Sequence, residues 1–330
     1  MSIPTRPARR TLLALAGLGA GAALLSACGG DSGASGGDGL TVVTTNYPLQ
    51  YLVQRVGGER VESVDLATPG ADGHGLELSM REALTVQEAA LVLQIPGYQA
   101  AVDDAIASGP GGNVLDISQT ISLLPADGHS HEEGSASDGG GEHADEEHAE
   151  DEDHAGHDHG PNDPHFWHDP LRMADVADAL ADRLSELDPE GAEAFAAGAE
   201  AVRTELEELD RELAAGFGAV AGERAFITSH AAFAYLADRY DLHQIGITGV
   251  DPETEPSPRR LLELEQLVED EGVSTIFFES TASPKVAQTL AANVGISSEE
   301  LDNLETRLSE DADYAQVMRE NSGKLLESWA

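Results

Sequence analysis

The twelve histidines of this chain fall into two groups. Seven of them, His129, His131, His143, His148, His154, His157 and His159, crowd into residues 126–163 with fourteen Asp and Glu and no Lys or Arg. Five stand apart: His74, His165, His168, His230 and His243. Imidazole nitrogen suits borderline cations, so convergent histidines point to zinc, copper or nickel ahead of magnesium or calcium. A lone histidine is more often a hydrogen-bonded or surface residue than a ligand. Several at equivalent places in an acidic chain shift that balance towards metal chemistry. No His-Glu-x-x-His pair occurs, so the helical zinc-hydrolase signature is missing.

Strands and helices must bring these residues together. Leu40–Thr45 is β-branched and apolar and reads as a strand, followed by a helix over Tyr47–Val56. Val61–Ala67 reads as a second strand, closed by Pro69-Gly70, and His74 follows it in Pro69-Gly-Ala-Asp-Gly-His74. Helices over Ser79–Ala89 and Ala100–Ala107 alternate with strands over Leu91–Ile95 and Val114–Ile117. After the acidic segment come helices over Leu171–Leu187 and Glu190–Phe217, then strands over Ala225–Thr228, Gln244–Thr248 and Thr275–Phe278 with helices between them. His230 ends a strand in Ile227-Thr-Ser-His230. Alternation of strand and helix implies parallel sheets, which place ligands beyond the C-terminal strand ends. The expected architecture is α/β: two parallel-sheet lobes joined by one long helix, with a metal site in the interlobe cleft. The expected boundaries are 40–188 for the first lobe, 189–217 for the linking helix and 218–330 for the second. Residues 126–163 are too polar to bury a core and read as a disordered insertion in the first lobe.

The N-terminal residues carry a compartment signal. Arg6, Arg9 and Arg10 precede a short apolar stretch over Thr11–Leu25, too short to span a bilayer comfortably. It runs into Leu25-Ser26-Ala27-Cys28, which resembles a lipobox with Cys28 as the lipidated residue. Cys28 is the only cysteine, so it has no disulfide partner. Residues 1–27 are therefore expected to be a lipoprotein signal peptide, and 28–39, rich in Gly and Ser, a flexible tether. Export by the Sec or the twin-arginine route is left open. The net charge of −43, with only Lys285 and Lys324 as lysines, excludes a nucleic-acid surface and favours cations. A lipid-tethered, extracytoplasmic monomer is expected.

Five stretches occur in one order: Thr44-Thr-Asn46-Tyr-Pro48, Pro69-Gly-Ala-Asp-Gly-His74, Asp163-Pro-His165-Phe-Trp167-His-Asp169-Pro170, Thr228-Ser-His230-Ala-Ala-Phe233-Ala-Tyr235 and Phe277-Phe-Glu279-Ser-Thr-Ala-Ser283-Pro-Lys285. Together they resemble the metal-binding substrate-binding proteins of zinc and manganese ABC importers, the ZnuA-like group, from Leu40 to the C-terminus. The resemblance implies one metal ion held between two lobes by four side chains. Three correspond to His74, His165 and His230. The fourth falls in a motif usually read Leu-Asp-Pro-Leu, here Leu301-Asp302-Asn303-Leu304, which makes Asp302 the expected carboxylate. Glu299, Glu300 and Glu305 crowd the same segment, whose bland reading is a solvated acidic helix start. His168 and Glu279 are candidate auxiliary ligands, His168 reading more readily as a supporting or surface residue. Gly73 and Gly75 flank His74 where proline and an aromatic residue are usual, which implies a loop that opens more easily.

Three imidazoles and one carboxylate suit tetrahedral Zn2+. Manganese members of the group use two histidines and two carboxylates, and His230 stands where one of those would be. The implied function is zinc capture and delivery to the membrane permease of an ABC importer, with the His-rich segment collecting metal at lower affinity. An importer protein for Mn2+ or Fe2+ is the alternative within that class. A zinc hydrolase and a surface adhesin are the alternatives outside it.

Overall fold

The computed structural model describes residues 39–126, 161–281, 283–309 and 311–330. The expectations for the signal peptide, Cys28, the tether up to residue 38 and the seven clustered histidines lie outside the described residues. Among the described residues, no helix is long and apolar enough to cross a membrane.

The first sheet and its helices are β1 (Leu40–Thr44), α1 (Tyr47–Gly57), β2 (Val61–Asp65), α2 (Met80–Glu88), β3 (Leu91–Gln94), α3 (Ala100–Ala107), β4 (Val114–Asp116) and the short α4 (Ile117–Thr120). Two helices follow, α5 (Pro170–Leu187) and α6 (Ala192–Gly218). The second sheet is built from β5 (Ala225–Thr228), α7 (Ala234–Tyr240), β6 (His243–Gly246), α8 (Pro258–Asp270), β7 (Thr275–Glu279), α9 (Lys285–Val294) and β8 (Ser297–Leu301), and α10 (Tyr314–Ser328) closes the chain.

Local chemistry sets the helix starts. Asn46 caps α1 by accepting the Leu49 N–H at 3.0 Å, with Pro48 in the first turn where its missing N–H costs nothing. Ser79 and Glu82 form a reciprocal capping box on α2. Asp169 caps α5 through the N–H groups of Leu171 and Arg172, again followed by proline.

Both sheets are four-stranded, wholly parallel and share one order, β2-β1-β3-β4 and β6-β5-β7-β8. The order reverses between β1 and β3 and between β5 and β7. Crevices open at such switch points, beyond the C-terminal strand ends.

One hydrophobic core joins the two sheets. It runs from Val42 and Leu91 through α1 and α5 to Phe226, Phe277 and Leu301. Its spine is α6, which buries Phe195, Ala199, Val202, Leu206, Leu209, Leu213 and Phe217 at spacings of three and four, one continuous apolar stripe. At 1.5 Å per residue this helix is about 40 Å long. Such shared packing resists a wide hinge motion between the sheets.

One strand departs from expectation. Ser297–Leu301, beside the segment read as an acidic helix start, is β8, paired with β7 along five residues. It is an edge strand with Ser297, Ser298 and Glu300 exposed and Glu299 half-buried, so it carries no apolar run to reveal it.

Candidate metal centre

Four side chains meet where the two lobes face each other: His74, His165, His230 and Glu305, all buried. Each arrives from a different element. His74 lies on the irregular connection between β2 and α2, and Asp72 accepts its backbone N–H at 2.8 Å. Its ring stands edge-on to Tyr98, with centroids 4.8 Å apart. Gly73 is required beside it, because a Cβ there would lie 2.1 Å from the Tyr98 hydroxyl.

His165 precedes a 3-10 turn over Phe166–His168 and is held by Asp163. That carboxylate accepts the His165 backbone N–H at 2.9 Å and its Nδ1–H at 2.7 Å. Nδ1 thereby carries the proton and Nε2 is left to face the cluster. Asp163 is fixed in turn. Its N–H donates to the Leu124 carbonyl, and the Tyr235 hydroxyl donates to its own carbonyl at 2.6 Å. His230 follows β5, where its backbone N–H donates to Glu279 Oε1 at 3.1 Å and its carbonyl accepts from Thr228. Glu305 lies beyond β8, with its carbonyl accepting the Tyr47 N–H at 3.1 Å.

The donor atoms converge. His165 Nε2 is 3.0 Å from His74 Nε2 and 3.4 Å from His230 Nε2. Glu305 Oε1 is 3.4 Å from His74 Nε2 and 3.5 Å from both His165 Nε2 and His230 Nε2. A regular tetrahedron around zinc, with bonds of about 2.0–2.2 Å, has edges of about 3.3–3.6 Å. Four of these five separations fall within that range, and the His74–His165 pair at 3.0 Å is slightly closer.

The electrostatics of the cluster are set by three buried imidazoles facing one buried carboxylate. Burial alone would raise the Glu305 pKa, but the three imidazoles set 3.4–3.5 Å from its Oε1 outweigh it and hold the carboxyl well below its usual range. Burial opposes charge on His230 too, yet Glu279 and Glu305 push it up to about 10. His165 is raised because Asp163 outweighs its burial. His74 is pushed down by burial to about 4, against the opposing pull of Glu305. A divalent cation at the centre takes the Nε2 lone pairs, so any proton on those nitrogens must leave as it binds.

The carboxylate that joins the imidazoles is Glu305, a correction to the expected Asp302. Asp302 Oδ1 instead accepts the Leu304 N–H at 2.8 Å, an Asx turn that carries Leu304 into a left-handed φ of 61°. That turn brings Glu305 into the cleft. The surface reading of His168 is also corrected: it is fully buried and stacks on Phe233 at 4.4 Å, outside the donor group. Glu279 supports His230 and is not one of the four donors. His243 starts β6, at the opposite end of the sheet from His230.

Because Asp163 hydrogen-bonds the His165 imidazole and Glu279 holds the His230 backbone and lies 3.4 Å from its Nδ1, each is expected to matter for metal affinity without touching the ion. Loss of such outer partners typically weakens binding about 10- to 100-fold. Asp163→Ala is expected to fall in that range in a zinc competition assay. An Asp163→Ala chain with unchanged affinity would show that the Nδ1 contact does not orient His165.

Residues 42–328 match the family described as ZnuA, zinc-uptake complex component A, periplasmic. The chain is 35% identical over 285 residues to the zinc-binding protein AdcA of Streptococcus pyogenes serotype M1, across 85% of this chain and 54% of AdcA. It thus spans about half the length of that relative. It is 32% identical over 317 residues to the high-affinity zinc uptake system protein ZnuA of Bacillus subtilis, across 92% and 93% of the two chains. Among solved structures, a Zn(II)-bound variant of AdcAII of Streptococcus pneumoniae superposes with a TM-score of 0.73 at 28% identity, covering 89% of this chain and all of that one. The laminin-binding protein Lmb of Streptococcus agalactiae, described as bifunctional with adhesin and metal transporting activity, gives 0.71 at 28% identity over 88% and 100%. With the fold, the four-donor cluster and a match over nearly all the described residues in agreement, the chain belongs to the ZnuA family of zinc-uptake components.

Proposed function

We propose that this chain captures Zn2+ at His74, His165, His230 and Glu305 and delivers it to the membrane permease of an ABC importer. The observation that carries this reading is the set of nitrogen and oxygen donors spaced 3.0–3.5 Å apart. Three imidazoles and one carboxylate favour zinc over manganese, which prefers more oxygen. Four protein donors complete a tetrahedron and leave no open position for a catalytic water, which supports binding over hydrolysis. In this reading Cys28 is the lipid-bearing residue that keeps the chain at the outer face of the membrane, as a monomer.

A competitive titration of Zn2+ against Mn2+, with chelators of known strength, tests it. One tight zinc site that Mn2+ does not displace, and that His230→Ala loses, is the expected result. Preference for Mn2+ would move the protein to manganese import, and absence of a tight site would overturn the reading.

A further inference from the structure

The four donors are fastened differently, and the loop that carries His74 is held to its own lobe through Gln99 Nε2, which donates to the Gly73 carbonyl at 2.7 Å. Asp163 and Glu279 brace His165 and His230. The Asn303–Glu305 segment is fastened by Trp167 Nε1 to the Asn303 carbonyl at 2.9 Å and by the Tyr47 N–H to the Glu305 carbonyl. His74 lies on the connection from Leu66 to Ser79, which contains no helix or strand. Two adjacent residues of the opposite lobe cross to it. Glu305 Oε2 accepts the Gly73 N–H at 3.1 Å. Thr306 Oγ1 accepts the Gly70 N–H at 3.0 Å and donates to the Ala71 carbonyl at 3.3 Å.

We propose that Thr306 is a positioning residue that sets how long zinc stays bound, by latching the His74 loop to the fixed Glu305 segment. This rests on the zinc-capture reading above. Thr306 is buried and is not one of the four donors. Its hydroxyl gives and receives a hydrogen bond at once, which serine can reproduce and valine cannot. Glu305 carries the same coupling through its two oxygens, but changing it alters the donor set itself. Thr306 is where the loop can be loosened while all four donors remain. The loop also has room to move. A cavity of about 230 Å3 borders it, lined by Thr68, Asp72, Gly73, Gln99 and Thr306 among others.

The test is the rate at which zinc-loaded full chain releases its ion to excess chelator in stopped flow. The loss of two hydrogen bonds makes an increase of about 30-fold the expected effect of Thr306→Val. Association should change by less than about twofold, and Thr306→Ser should release zinc within about twofold of wild type. Hydrogen exchange on the wild-type chain gives a second measurement that needs no variant. With zinc bound, the Gly70 and Gly73 amides should exchange no faster than zinc departs. Release from Thr306→Val at the wild-type rate, or exchange of those amides well before zinc leaves, would overturn the latch while zinc capture stood. A wild-type chain with no tight zinc site would overturn the capture reading, and the latch with it.

Discussion

Exchanging Glu305 for alanine is expected to weaken zinc binding by more than about 100-fold. A four-ligand zinc site in a folded peptide is worth about 10–16 kcal/mol, so one donor carries about 3 kcal/mol. The loss is sharpened here because Glu305 is the only carboxylate in the donor group and faces all three imidazoles. Without it, three buried imidazoles remain with no carboxylate among them to offset the charge of an incoming divalent cation. The neighbouring acid gives the control. Asp302→Asn retains a side-chain oxygen for the Leu304 N–H and should bind zinc within about threefold of wild type. Asp302→Ala should lose more, through the turn that places Glu305. Isothermal or competition titration of the three variants separates a donor from a residue that shapes the backbone. Equal losses for Glu305→Ala and Asp302→Asn would mean that the carboxylate has been misassigned.

Zinc is expected to raise the thermal unfolding midpoint by about 8–16 °C when free metal exceeds the dissociation constant a thousandfold. Binding to the native state alone adds about 4 kcal/mol under those conditions. A body of this size gains about 2–4 °C for each kcal/mol. The donors come from both lobes and from four separate connections, so an ion among them ties the ends of β2, β5 and β8 to the start of α5. A chelator should reverse the shift, and His230→Ala should abolish it. Scanning calorimetry with and without metal reads this directly. A shift that survives in His230→Ala would locate the stabilising metal elsewhere.

Much of this was legible in the chain before any coordinates. The β-branched run of β1, the proline-led starts of α1 and α5, and the three-and-four spacing of α6 are local signals. Each says what its own segment will do, whatever surrounds it. His74 and His230 could be placed because both follow recognisable strands, and His165 because its flanking Asp163-Pro164 and Asp169-Pro170 stood out in the resemblance. β8 was not legible. An edge strand of Ser and Glu is defined by its backbone pairing with β7 and not by its own composition.

The identity of the fourth donor belongs to the tertiary structure for a related reason. Asp302 and Glu305 are both acids near the same strand end, and spacing along the chain does not choose between them. The choice is made by the Asx turn at Asp302, the left-handed Leu304 and the anchoring of Glu305 on Tyr47 from the other lobe. Strand periodicity and helix capping act within a few residues, and they already specify two parallel α/β lobes with histidines at their C-terminal edges. Which carboxylate joins the three imidazoles, and the place of His168 in the core, follow from burial and donor separation, which depend on residues far apart in the chain.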